Sequence, residues 1–496
     1  MTTRISHWIS GQLVTGTSGR IAPVYDPATG QRTAEVDLAT KAEVDAVIAS
    51  AAVAAKAWRS TSLSRRSAIL FAFRELLHAH TDELAAIVTS EHGKVLSDAV
   101  GEISRGLENV EFACGVPQLL KGGFSEQANS DVDVYSIRQP LGVVAGITPF
   151  NFPVMVPLWM AANAIACGNA FVLKPSEKDP SASLFIADLW KRAGLPDGVF
   201  SVVHGDKEAV DAILTNPQVA AVSFVGSTPI AKYIYETGTA HGKRVQALGG
   251  AKNHRVVLPD ADIDMAADAA VSAGYGAAGE RCMAISVVVA VGEVADPLVD
   301  AIAARLPKLT VGAGSHKDTD MGPLITAEHR DRVAGYIGAG EQSGATVVVD
   351  GREANLPDEG FFLGATLLDH VEPAMSVYRD EIFGPVLGVV RVDTYDAALA
   401  LINSNQYANG TAIFTRDGGV ARQFQFDVEV GMVGINVPIP VPVAYYSFGG
   451  WKDSLFGDTH MYGPEGINFY TRGKVVTSRW PDPATSVVDL GFPRTR

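Results

Sequence analysis

The run Val143-Val144-Ala145-Gly146-Ile147-Thr148-Pro149-Phe150-Asn151-Phe152-Pro153 decides the fold. Val143–Ile147 reads as a strand buried on both faces. A Pro/Asn turn ends it, and a helix follows to about Cys167. The same rhythm then repeats. Phe171–Leu173 is a second strand, ending at Lys174-Pro175-Ser176-Glu177. Phe200–Val203 is a third, and Val219–Val225 a fourth, ending at Gly226-Ser227-Thr228. Candidate functional residues fall just past strand C-termini, where ligands sit in open parallel sheets. A second α/β stretch is expected over about 250–450.

The chain before Val143 is different. About the first 35 residues read as short strands and turns. Thr40 and Glu43 form a capping box, followed by Val44, Val47, Ile48, Ala51, Ala55 and Trp58 at helical spacing. Two more amphipathic segments cover roughly 64–80 and 82–112. Asp131–Arg138 and Gly473–Trp480 are β-prone segments outside both α/β stretches. Paired, they would make a protruding ribbon with one apolar face, which favours subunit association. An ordinary edge hairpin is the plainer alternative.

The 496 residues allow two or three domains, and the 47% hydrophobic and 19% charged fractions are those of a globular protein. A net charge of −15, from 40 basic and 55 acidic residues, argues against nucleic acid as a partner. Cys114, Cys167 and Cys282 are too few to pair completely and fit no zinc spacing, so no metal site and a reducing compartment are expected. The start, MTTRISHWISGQ, lacks a signal-peptide core, and Val154–Cys167 is too short to span a bilayer. A cytoplasmic protein without a membrane partner is the expectation.

Cys282 carries the chemistry. A lone cysteine is most often a small buried hydrophobe. Here Arg281 precedes it and Gly279 permits close backbone approach. Neighbouring positive charge favours the thiolate, the nucleophilic form. Asn151 is either a turn residue or an oxyanion donor, whose loss costs ~3 kcal/mol in transition-state stabilisation. Lys174 and Glu177 are either a solvated pair or a grip on ribose hydroxyls, with the carboxylate disfavouring a 2′-phosphate. Gly226 and Ser227 open a helix whose free N–H groups suit phosphate. Glu381 and Phe383, in Glu381-Ile382-Phe383-Gly384-Pro385, suit a second ribose and the nicotinamide face, or form only a turn.

Taken together, PFNFP, LKPSE, FVGST, LGG, the cysteine after Gly279 and EIFGP resemble the aldehyde dehydrogenase superfamily in order and spacing. The resemblance implies an α/β fold of three parts. A Rossmann-like NAD-binding domain covers 1–129 and 141–249, and an α/β catalytic domain covers 250–451. A small β oligomerisation domain takes 130–140 and 472–496, with 452–471 returning between them. It implies Cys282 as nucleophile, with Asn151 and the Cys282 N–H as oxyanion hole. NAD would be held by Phe150, Phe152, Lys174, Glu177, Gly226, Ser227, Leu248, Gly249, Glu381 and Phe383. A homo-oligomer, most simply a tetramer, is also implied.

Two departures narrow the activity. Hydrolytic members carry glutamate before Leu-Gly-Gly, where this chain has Ala247. Many carry a second near the C-terminus, where this chain reads Thr459-His460-Met461-Tyr462-Gly463. The segments Gln246–His254, Gly274–Ala284 and Tyr446–Lys452 instead resemble the CoA-acylating branch that oxidises methylmalonate semialdehyde. Coenzyme A brings a thiol of pKa near ~8.5, so a carboxylate base is less necessary than for water. The implied reaction converts methylmalonate semialdehyde to propionyl-CoA, and malonate semialdehyde to acetyl-CoA, through a Cys282 thioester. Arg105 and Arg281 would bind the substrate carboxylate, since a guanidinium fork matches it. Valine, inositol and β-alanine breakdown remain open as settings. The alternatives are a hydrolytic NAD-dependent semialdehyde dehydrogenase, for example one acting on succinate semialdehyde, and a retired enzyme kept as a binding protein.

Overall fold

A computed structural model describes residues 3–480, 482–485, 488, 490 and 491. Two large sheets organise the chain. The first has the order Leu455–Phe456, Arg244–Leu248, Val219–Val225, Val143–Ile147, Ala170–Lys174, Phe200–Val202, His7–Ile9 and Gln12–Val14. Its five inner strands are parallel. Val143–Ile147 lies between Ala170–Lys174 and Val219–Val225, so the winding reverses there. Chain crossovers leave on opposite sides at such a point and open a crevice at the strand C-termini. The turns at Pro149–Asn151 and Gly226–Ser227 both fall at that crevice.

The second sheet orders Thr346–Val349, Thr366–Asp369, Val386–Val392, Ile285–Val291, Asn253–Val257, Gly410–Phe414 and Met432–Ile435. It is parallel except at its first pair. Its strands are valine-rich and buried, as expected for a sheet covered on both faces.

The predicted ribbon forms. Val132–Pro140 pairs antiparallel with Thr471–Arg479, from Thr471 opposite Pro140 to Arg479 opposite Val132. Phe124–Asn129 adds a third strand to this small sheet rather than to the first large one, so the boundary drawn at 129/130 cuts across it. The remainder of the 472–496 arm runs partly into positions 481, 486, 487, 489 and 492–496, outside the described residues.

The capping box at Thr40 is present, with Glu43 accepting from the Thr40 N–H at 2.8 Å and opening the helix Lys41–Arg59. One expectation changes. The segment 82–112 is not one helix but two, Thr81–His92 and Leu96–Cys114. Gly93 ends the first in a left-handed conformation, φ 91°. A side chain there would strike Pro323. The break sets Lys94 into the interior, where it is 1% exposed. Amphipathic periodicity runs through the break because both helices cover the same core.

Candidate active site

Cys282 does not follow the rule that the strand ends suggest. It precedes the strand Ile285–Val291, in a turn after the helix Ile263–Tyr275. That turn is left-handed at Ala277 (φ 51°), Ala278 (φ 52°) and Gly279 (φ 74°). A Cβ on Gly279 would collide with the Gly384 carbonyl, so glycine lets the turn touch Glu381–Pro385. The Cys282 carbonyl accepts from Asn253 Nδ2 at 2.9 Å and Asn409 Nδ2 at 3.2 Å. Three distant segments therefore hold the nucleophile's backbone.

A cavity of about 200 Å³ gathers Phe150, Asn151, Gly226, Ser227, Gly249, Cys282, Glu381 and Phe383. Residues from Pro149 to Phe383 thus converge at the switch point of the first sheet. Arg332, which no motif marked, also lines it. It sits on the helix Ala327–Gln342, where nothing in the local sequence separates it from the neighbouring Arg330.

Asn151 is 3% exposed. Its Nδ2 donates to the Glu280 carbonyl at 3.0 Å, which leaves one amide hydrogen uncommitted. Its own carbonyl accepts from Lys94 Nζ at 2.6 Å. Lys94 also bonds Glu102 at 2.8 Å, and Glu102 accepts from the Val154 and Met155 N–H groups at the next helix start. The helix break at Gly93 thus fixes the asparagine. Phe152 is buried, with Lys94 Nζ 4.5 Å from its ring centre. It packs behind Asn151 and does not line the cavity.

Glu381 accepts from the Ala251 N–H at 2.9 Å. Burial pushes its carboxyl up to about 7, against the pull of that N–H, Lys252 and Arg332. Phe383 is left-handed, φ 60°, and its carbonyl accepts from His329 Nε2 at 2.6 Å. Phe150 meets Phe383 edge-on at 5.9 Å and stacks on His92 at 5.9 Å. Leu248 ends its strand, its carbonyl accepting from the Gly226 N–H at 3.1 Å. A Cβ on Gly249 would meet the Asp453 carbonyl at 2.6 Å. Outside this cavity, Lys174 Nζ lies 3.3 Å from Glu177. Burial raises the Glu177 carboxyl, but Lys174, a backbone N–H and Lys178 together outweigh it and the net displacement is downward.

The thiol differs from expectation. Burial pushes Cys282 up to about 12; the Glu381 charge adds to this, and Arg281 is the weakest of the opposing influences. Arg281 is instead paired with Asp98 at 2.6 Å. Desolvation, which local sequence does not show, outweighs the adjacent cation. Ala247 is buried within its strand, facing Phe224 and Phe456, so that position offers no carboxylate. Among the described residues, Glu381 is the one glutamate or aspartate that lines the cavity with Cys282.

Arg105 lies on the Leu96–Cys114 helix, bonded to Glu108 at 2.8 Å and to the Pro442 carbonyl at 2.5 Å. Tyr462 donates to the same carbonyl at 3.1 Å. The Tyr462 hydroxyl is raised first by burial, and it feels both Arg105 and Cys282. Arg105 is thereby placed on the Cys282 side of the molecule, across Tyr462. Nothing in the spacing of the chain pointed to Tyr462.

Two largely parallel sheets closing on one half-buried thiol, with a glycine-bounded crevice at the first sheet's switch point, define a two-sheet α/β oxidoreductase. The chain belongs to the aldehyde dehydrogenase family, whose profile matches residues 13–476. It is an oxidoreductase acting on aldehydes. A malonate-semialdehyde dehydrogenase of Pseudomonas aeruginosa is 55% identical over 97% of this chain and 97% of its own length. A solved methylmalonate-semialdehyde dehydrogenase of Oceanimonas doudoroffii is 56% identical, with a TM-score of 0.96 over 98% of this chain and 99% of that one. A Sinorhizobium meliloti protein solved in complex with NAD is 52% identical, also at a TM-score of 0.96, over 98% of this chain and 100% of that one.

Proposed function

We propose that this chain is an NAD-dependent, CoA-acylating dehydrogenase of malonate and methylmalonate semialdehydes. The observation that carries the reading is the cavity itself. It joins Cys282, Asn151 and Glu381, and Ala247 leaves it without the carboxylate that hydrolytic members use. Relatives bearing these substrate names over nearly the whole chain support it.

The crevice fits NAD. A side chain at Gly226 would strike Phe224, so backbone can approach a pyrophosphate. Ser227 precedes the helix Thr228–Ala240 without a side-chain cap bond, leaving its hydroxyl and the Thr228 N–H available at the helix start. Lys174 and Glu177 are set for one ribose, and Glu381 for the other. NAD held there would supply the hydride acceptor.

Cys282 Sγ gives its proton to solvent and attacks the aldehyde carbonyl, whose π pair moves to oxygen to form a thiohemiacetal oxyanion. The free Asn151 amide hydrogen and the Cys282 N–H hold its oxyanion. Hydride loss leaves a thioester on Sγ with a carboxylate β to its carbonyl. Arg105 and Arg281 orient that carboxylate. Loss of CO2 places the electron pair in the thioester enolate, which is protonated at carbon. The CoA thiolate then attacks the thioester and Cys282 leaves. Methylmalonate semialdehyde gives propionyl-CoA and malonate semialdehyde acetyl-CoA.

Association fits the small sheet, where Phe124 and Val475 are exposed by 66% and 69% and Trp480, just past its last strand, by 84%. Among the described residues no helix is long and apolar enough to cross a membrane. Mass spectrometry of products made from malonate semialdehyde and NAD, with and without CoA, tests the reading. Acetyl-CoA with CoA, and little turnover without it, is expected. Brisk CoA-independent release of free acid would overturn it.

A further inference from the structure

Behind the cavity lies a second cluster that the reaction above does not use. Glu280 is 0% exposed and stands two residues before the nucleophile. Its carbonyl is the acceptor that fixes the Asn151 amide. Its carboxyl Oε1 accepts from the Ile325 N–H at 3.2 Å and lies 3.4 Å from His329 Nε2. Oε2 lies 3.8 Å from His92 Nε2. Oε2 and both ring nitrogens of His92 have no hydrogen-bond partner.

The neighbouring rings are neutral. His329 gives its Nε2–H to the Phe383 carbonyl at 2.6 Å and takes a hydrogen from Arg332 on Nδ1 at 2.8 Å. That assignment uses both nitrogens of a neutral imidazole. Burial lowers His329 to about 4 and sets His92 well below its ordinary value. No imidazolium is therefore at hand to balance a carboxylate. The cations facing the pocket are Lys94 and Lys178 from the loops, and Arg332 from its helix. Lys94 is committed to Glu102, Lys178 lies 4.8 Å from the Phe150 ring centre, and Arg332 is engaged by His329. An ion without a partner in such a site is costly, and a buried carboxyl takes a proton instead.

We propose that Glu280 works as a neutral carboxylic acid, a positioning residue that donates its O–H toward His92 and holds the Asn151 amide and the Cys282 loop in register. His92 stacks on Phe150 and His329 holds Phe383, so the Glu280 carboxyl lies behind the two aromatic walls while its backbone carbonyl holds the Asn151 wall. Burial pushes the Glu280 carboxyl up to about 8 against the Ile325 N–H and the three cations. The sign follows. The fold keeps a proton that the unfolded chain releases above its ordinary 4.5, so stability falls as pH rises from there to about 8.

The test uses Glu280→Gln and Glu280→Ala in the full chain, with propanal and NAD but no CoA. Single-turnover NADH formation then reports the hydride step alone, whatever the acyl acceptor proves to be. Glu280→Ala should slow it roughly 10²-fold, as expected for slight misplacement of reacting groups. Glu280→Gln, isosteric and neutral, should restore most of that rate and remove the wild-type decline above pH 8. The Tm advantage of Glu280→Gln over wild type should grow between pH 5 and 8 and then level. If Glu280→Gln is as slow as Glu280→Ala at pH 7, the charge is needed and the proposal fails. Superimposable Tm–pH curves for wild type and Glu280→Gln would also overturn it, independently of rate.

Discussion

Arg281 and Asp98 form an ion pair at 2.6 Å, across 183 positions of sequence. The residue before the nucleophile is thus held by the helix that also carries Arg105. Its charge is partly spent before any substrate arrives, and its orientation is set. This favours a positioned carboxylate receptor over an activator of the thiol.

Arg281→Leu should therefore raise KM for malonate semialdehyde by roughly 10–100-fold, the loss expected for a charged hydrogen bond, while sparing propanal. Steady-state kinetics on the two aldehydes checks it. Equal losses on both would return Arg281 to the activation of Cys282.

Glu381 ionises at about 7 because burial raises it. The carboxylate accepts from both hydroxyls of a ribose more strongly than the neutral acid, whose O–H is a donor. NAD affinity should then tighten as pH rises from 6 to 8, with proton release on binding. Titration calorimetry at several pH values reads this directly. Glu381→Gln should bind more weakly, with a flat pH dependence; a wild-type Kd that does not change with pH would contradict the assignment.

Lys94 and Glu102 are both fully buried side chains. Removing one member of such a pair leaves an uncompensated charge, at roughly 3–5 kcal/mol. Lys94→Ala should lower stability by that order and, because Asn151 loses its anchor, slow NADH formation as well. Urea unfolding measured beside single-turnover rates separates the two effects. Full stability in Lys94→Ala would show that the pair is dispensable.

Val475 is exposed by 69% on the three-stranded sheet, opposite Ser136 of the central strand. If that sheet is the association surface, Val475→Lys should reduce the mass seen by light scattering without lowering secondary-structure content. An unchanged mass would place the contact elsewhere.

Local sequence determined the elements whose physics is local. Val143–Ile147 and Val219–Val225 are buried strands because their residues are apolar and β-branched, and the Thr40–Glu43 box caps its helix within one turn. The motifs at Asn151, Gly226–Ser227, Cys282 and Glu381–Phe383 marked the cavity because each is a short run with an unusual backbone or chemistry. What the tertiary structure alone decided was the electrostatic state of those groups. Cys282 is pushed up despite Arg281, Glu381 and Glu280 are raised by burial, and Lys94 meets Asn151 only because Gly93 breaks a helix whose periodicity continues. Desolvation and pairing depend on everything packed around a group, much of it hundreds of positions away, whereas turn geometry and strand character depend on a few neighbours.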